Sequence, residues 1–347
     1  LIQVTCSVGP GDLLASLDRD ASPSAGGAVT HNGRECPRPR GPALTTTATA
    51  RRAAPTWAWL AVGVAAVSTS APLIRLADAP ALTVALYRNL VALLVLAPAA
   101  WWLARGELRA LTRRDLAWCA LGGAALAAHF ATWITSVSLT TVASSTALVA
   151  TVPVFVALAG SLWLGERVGR VGWAGIVLAI GGVVLLAGAD LRVSGRALVG
   201  DLLALAGAAL AGLYVLVGRG VRRRVPLLPY VVVVYAVAAV LLAPAVLARG
   251  DPLWGFTPGQ WAALAAMGLV PQVLGHTAFN FLLGHVRADA VAVAVLGEPV
   301  GATLLALVLF AELPPPLALP GALLVLTGIW LTLRDAARAR RVDGGRV

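Results

Sequence analysis

Lysine is absent from this 347-residue chain, methionine occurs once, cysteine three times, and only 12% of residues carry charge. Soluble domains have about a quarter of their residues charged, so this scarcity excludes a soluble globular protein. Cys6, Cys36 and Cys119 are too few and too scattered for a disulfide framework or a metal site, and Cys119 reads as a small core residue near a helix end. No Gly-x-Ser-x-Gly turn occurs, which removes a common nucleophile geometry of serine hydrolases. With lysine missing, all 27 basic residues are arginine. The formal charge of +11 would suit a nucleic-acid surface, but the arginines follow membrane topology instead, and no nucleic-acid partner is expected.

What is present is apolar bulk. Hydrophobic residues make up 59% of the chain and mean hydropathy is +0.84, which places it in a membrane. Roughly 20 apolar residues cross the hydrocarbon as an α-helix. Ten such stretches can be marked: 57–74, 80–103, 115–137, 141–163, 170–188, 198–218, 227–248, 260–284, 288–310 and 317–333.

The segment after residue 56 repeats itself about 146 positions on. Leu96-Ala97-Pro98-Ala99 returns as Leu242-Ala243-Pro244-Ala245, Glu166 as Glu312, and Gly175 and Gly182 as Gly321 and Gly328. His129 meets His276 at 147, so one residue is gapped. Five crossings per copy make the second copy enter from the opposite side. The expected fold is therefore an all-α integral membrane protein of ten transmembrane helices in two inverted five-helix repeats. The first repeat spans 57–190 and the second 191–333, followed by a basic cytoplasmic tail over 334–347.

Arginine sets the orientation. The loops after the even-numbered spans hold eleven arginines, the odd-numbered loops four: Arg75, Arg192, Arg196 and Arg249. Both termini join the arginine-rich group and are expected in the cytoplasm of a multi-pass plasma-membrane protein. The arginines orient the helices and contact lipid headgroups. Residues 1–56, rich in Pro, Gly, Ser, Thr and Ala, read as a disordered tail without a secretory signal. Met267 is the only methionine, so a start at a Val or Leu codon just before Arg51, with the tail untranslated, is the alternative expectation.

Helices in lipid associate through close backbone packing, and Gly175, Gly182, Gly321 and Gly328 read as helix contacts. Pro72, Pro153, Pro271 and Pro299 lie in or near spans, where each removes a donor and bends its helix; Pro153 and Pro299 occupy equivalent places. A structural kink and a moving part both remain open for them.

Ionisable groups at bilayer depth are costly and mark sites. Arg88 lies ~12 Å into the second span and Glu298 ~15 Å into the ninth, at 1.5 Å per residue. His129 and Trp133 share a face of the third span, and His276 and Asn280 a face of the eighth, each pair four residues apart. Together they form candidates for binding a polar solute or moving protons, each weighed against a purely structural role. Arg88 and Glu298 have opposite charge, but the sequence does not place them together. Glu166 and Glu312 read as helix-end anchors.

Arg88, Pro153-Val-Phe with Leu164-Gly165-Glu166-Arg167, Leu296-Gly297-Glu298-Pro299-Val300 with Ala311-Glu312, and the string from His129 to Val137 carry a resemblance. From about 57 to 333 the chain resembles EamA-type transporters of the drug/metabolite transporter superfamily. The resemblance implies a carrier of small metabolites, often amino acids or related compounds and commonly an exporter, working without a cofactor by alternating access. It does not fix substrate, direction, coupling ion or a homodimer. Two departures stand out: the first copy has Thr151-Val152-Pro153 where the second has Glu298-Pro299, and the first span holds no glutamate. A lipid or polyprenyl-carrier translocator is the alternative. A membrane-embedded serine enzyme using Ser136 or Ser138 with His129 is the weaker reading, because spacings of seven and nine residues make no convincing dyad.

Overall fold

The computed structural model describes residues 30–31, 34–35, 56–163, 168–191, 194–282, 297–314 and 316–343. The chain divides into two units, Leu1–Arg52 and Ala53–Val347. In the first, β1 (Thr30–His31) pairs antiparallel with β2 (Arg34–Glu35). The rest of the expected disordered tail, like Glu166, lies outside the described residues.

The second unit is helical: α1 (Thr56–Ser68), α2 (Ser70–Ala77), α3 (Ala81–Leu103), α4 (Arg105–Arg109), α5 (Arg113–Val137), α6 (Val142–Val149), α7 (Val152–Trp163), α8 (Arg170–Leu191), α9 (Gly195–Val221), α10 (Leu227–Arg249) and α11 (Pro258–Met267), then a π-helix (Gly268–His276), α12 (Thr277–Leu282), α13 (Gly297–Phe310) and α14 (Ala318–Asp343). Runs of Ala, Leu and Val supply the helix formers, and polar caps fix the starts. Thr141 accepts from Ser144 and Ser194 from Ala197 through their hydroxyls. The fourth expected span is interrupted between α6 and α7, where Pro153 offers no N–H to the carbonyl of Val149.

Among the described residues, seven helical stretches are long and apolar enough to cross a membrane, and Arg170–Leu185, Gly297–Phe310 and Ala318–Thr332 are shorter apolar helices. The ninth expected span is described only from Gly297, since 283–296 lie outside the described residues. The surface fits lipid: Leu94, Val177, Val240 and Val308 are 75%, 66%, 69% and 79% exposed, a liability in water and the normal state against acyl chains. Inside, one apolar cluster holds Phe130, Ile134, Tyr230, Tyr235 and Met267, and a smaller one holds Leu148, Ile176, Val325 and Ile329.

The repeat is visible in the packing. Helices α3 and α10 begin and end 146 positions apart and pack together. A Cβ added at Gly175 would stand 2.5 Å from the carbonyl oxygen of Gly328, and one at Gly182 would stand 2.7 Å from that of Gly321. Position 175 rising to 182 thus meets 328 falling to 321, so α8 and α14 run antiparallel in contact. Because Gly175 corresponds to Gly321 and Gly182 to Gly328, exchanging the copies turns one contact into the other, as a local two-fold axis requires.

The gap in the register has a structural cause. Helix α5 opens with a capping box, Thr112 with Asp115, and α11 opens with another, Thr257 with Gln260. These boxes are 145 apart, while His129 and His276 are 147 apart, so the second copy gains two residues in between. The π-helix over Gly268–His276 absorbs them. Its i→i+5 bonds wind about 4.4 residues into a turn against 3.6 for the α-helix, so two turns take up roughly two extra residues.

Candidate functional site

Arg88, the eighth residue of α3, is wholly buried. Its Nε donates to Oε1 of Gln272 at 2.6 Å, Nη1 points at Sδ of Met267 at 3.7 Å, and Cζ lies 4.2 Å from the ring centroid of Phe130 and 5.9 Å from that of Trp133. Close helix approach brings these groups together. A Cβ at Gly268 would fall 2.4 Å from Cβ of Val91 and 3.2 Å from the carbonyl oxygen of Arg88, so glycine lets the π-helix lie directly on α3.

A buried cation needs compensation, and the desolvation penalty in proteins is several kcal/mol. A neutral amide, a thioether and an aromatic face worth about 2 kcal/mol supply only part of it. The Nη2 of Arg88, Nε2 of Gln272, Oδ1 of Asn89 and Nε1 of Trp133 are all buried without a hydrogen-bond partner.

The other expected residues line the same region. His129 Nδ1 is 2.8 Å from the carbonyl oxygen of Gly207; a carbonyl only accepts, so Nδ1 carries the proton, and a neutral ring leaves Nε2 as an acceptor. Its ring stacks on Trp133 at 5.9 Å with 2° between planes. His276 meets Phe130 edge to face at 5.7 Å, which ties both histidines to the guanidinium's aromatic wall. Asn280 Nδ2 reaches the carbonyl of its own turn at His276 and the hydroxyl of Tyr214, both at 2.9 Å. Behind them the hydroxyls of Tyr235 and Thr277 are 3.3 Å apart, and Thr277 donates to the carbonyl of Gln272.

Glu298, in the first turn of α13, is half-buried and within electrostatic range of Arg88 without pairing to it. Arg88 is bound to Gln272 instead. Pro153 is the second residue of α7 and Pro299, buried, the third of α13, so both stand at helix starts. The Ser136 hydroxyl is held by that of Ser145 at 2.5 Å, and His129 is turned to Gly207, so Ser136 and His129 form no dyad. Among the described residues no group of three His, Cys, Asp or Glu could hold a metal ion.

Sequence reasoning missed Gln272, Phe130, Met267, Tyr214 and Tyr235. Rarity was the available signal: the chain has one Met and four Tyr, and Gln272 is one of three glutamines.

Polar contacts join the copies at both ends of the bundle. On the face of the arginine-poor loops, Glu312 of the second copy accepts from the N–H of Val142 at the start of α6 and lies 3.7 Å from Arg75, which also bonds the carbonyls of Val137 and Thr140 within its own copy. On the opposite face, Arg224 lies 3.1 Å from Asp115, and Asp335 accepts from the N–H of Gly169.

Comparison with known proteins agrees with this arrangement. A curated relative, the "Probable terminal-alkyne amino-acid exporter" of Streptantibioticus cattleyicolor, is 30% identical over 199 residues, 56% of this chain. The match spans 65% of that relative's length. A solved crystal structure superposes with a TM-score of 0.60 at 21% identity, covering 83% of this chain and 98% of its own, a likeness of fold. The EamA-like transporter family matches twice, over 54–188 and 198–334, the two segments that the glycine contacts relate to one another. A buried polar cluster between two copies of one helical unit is thus set in a known frame, and the chain belongs to the EamA-like transporter family.

Proposed function

We propose that this chain is a secondary transporter that exports a small metabolite, an amino acid or related polar or amphipathic compound, across the plasma membrane by alternating access. In this reading ten crossings form two inverted five-helix repeats with both termini cytoplasmic, and one repeat rocks against the other around a central solute. The observation that carries it is the wholly buried, incompletely satisfied guanidinium of Arg88 in its aromatic and amide shell. Arg88 holds the solute's anionic group, Trp133, His129, His276 and Asn280 form the wall, and Glu298 or a histidine couples protons. Pro153, at the break between α6 and α7, and Pro299, in the first turn of α13, mark where the moving elements turn.

The cargo named for the Streptantibioticus relative makes a terminal-alkyne amino acid, with its saturated analogue, the first solute to test. Purified protein in lipid vesicles should exchange labelled propargylglycine or norvaline. Arg88→Ala should lower that exchange at least ten-fold while the size-exclusion profile stays unchanged; equal exchange by wild type and variant would overturn the assignment.

A further inference from the structure

We infer that Gln272 is a ligand-contacting residue and that Gln272 and Arg88 together form a clamp for a carboxylate, which makes a free carboxylate the obligatory feature of the solute. The inference rests on the transporter reading for the identity of the site as the solute site.

The argument begins with donors and acceptors. Arg88 has five N–H donors and no acceptor, so the Gln272 amide facing its Nε at 2.6 Å must present oxygen. That orientation spends the amide oxygen on Arg88 and leaves the amide NH2 of Gln272 in need of another acceptor. Nε2 of Gln272 and Nη2 of Arg88 are both buried and both lack a partner. The residues themselves are 0% exposed, so bulk water does not serve these donors. Two unspent donors, one of them cationic, want an acceptor with two oxygens and a negative charge, which a carboxylate is.

Among the described residues no carboxylate pairs with Arg88, and Glu298 acts on it only at a distance. Carboxylates pair instead with Arg75, Arg224 and Arg249, through Glu312, Asp115 and Asp251. Phe130 covers one face of the guanidinium, so a ligand must approach along the edge where Nη2 lies. A carboxylate fits that edge; an ester or amide lacks the charge, and an amine would add a second cation.

A structural glutamine and a ligand-binding glutamine respond oppositely to Gln272→Glu. Glutamate has the same shape and is a better partner for Arg88. If Gln272 only satisfied Arg88, the variant would keep or improve function. If Gln272 donates to the solute, the variant fills the guanidinium's charge internally and puts an acceptor where a donor was.

The experiment is equilibrium binding to the purified full chain in detergent, by calorimetry, with norvaline, pentanoate, norvalinamide and pentylamine, alongside vesicle exchange of the labelled compounds. The expected result is binding of the two carboxylates with norvalinamide and pentylamine at least ten-fold weaker, loss of carboxylate binding in Gln272→Glu without loss of thermal stability, and about ten-fold weakening in Gln272→Leu. Binding of norvalinamide or pentylamine as tight as that of norvaline, binding by none of the four, or retained carboxylate binding in Gln272→Glu, overturns the clamp. Exchange of norvaline and norvalinamide alike sinks the clamp and leaves the transporter reading standing. Carboxylate-selective binding without exchange does the reverse.

Discussion

Arg75 and Glu312 stand 3.7 Å apart and belong to different copies of the repeat, and each also caps a helix of the first copy. The guanidinium sits on carbonyls at the end of α5 and the carboxylate on the first N–H of α6, the charge signs that the two helix dipoles favour. Their side chains are 34% and 19% exposed, so the ion pair itself is worth at most about 1 kcal/mol. Glu312→Gln should therefore cost little in thermal unfolding, because the amide oxygen still accepts from Val142. Glu312→Leu, which orphans that N–H, should cost about 1–2 kcal/mol. If this face opens during the cycle, either variant should also raise labelling of a cysteine placed at Ser144.

The α8–α14 contact leaves no room for a side chain. Gly175→Leu or Gly328→Leu should abolish the monodisperse peak on size exclusion, since overpacking of 1–3 kcal/mol falls on backbone that cannot yield. Gly181, with nothing within 4 Å of an added Cβ, is the internal control: Gly181→Ala should leave the peak unchanged.

His129 bridges α5 to α9 through the carbonyl of Gly207. His129→Phe keeps an aromatic ring against Trp133 but removes the side-chain bond to a carbonyl that also serves the α9 backbone ladder. We expect a stability loss of about 0.5–1.5 kcal/mol by thermal unfolding in detergent. An unchanged melting temperature would show that the bond contributes nothing.

Glu298 is tested by uncoupling. In vesicles with an imposed pH gradient, wild-type exchange should respond to the gradient and that of Glu298→Gln should not. A variant that responds like wild type would remove Glu298 from proton movement and leave the histidines.

Apolar runs of membrane length, the spacing of Gly175 and Gly182 from their copies, and an arginine at position 88 inside an apolar helix were all legible because each is a local or repeating property of the chain. Gln272 was not. It lies in a π-helix, where the 3.6-residue period that assigns helix faces fails, so no periodicity argument could turn it toward α3. Nor could spacing place Asn280 against Tyr214, 66 positions away, or send Arg88 to Gln272 and not to Glu298, because those choices are made by tertiary contact. The register difference at the histidines was visible as a gap; that it amounts to two residues gained within one stretch emerges only when both capping boxes are used as markers.

Those two surplus residues carry a chemical consequence. A perfectly symmetric duplicate would present any guest with the same lining from left and right. Rewinding one helix of the second copy turns the amide of Gln272 to the guanidinium that α3 of the first copy carries, a pairing made on one side only, so the buried cluster has a front and a back. A molecule with two dissimilar ends can then be seated one way round.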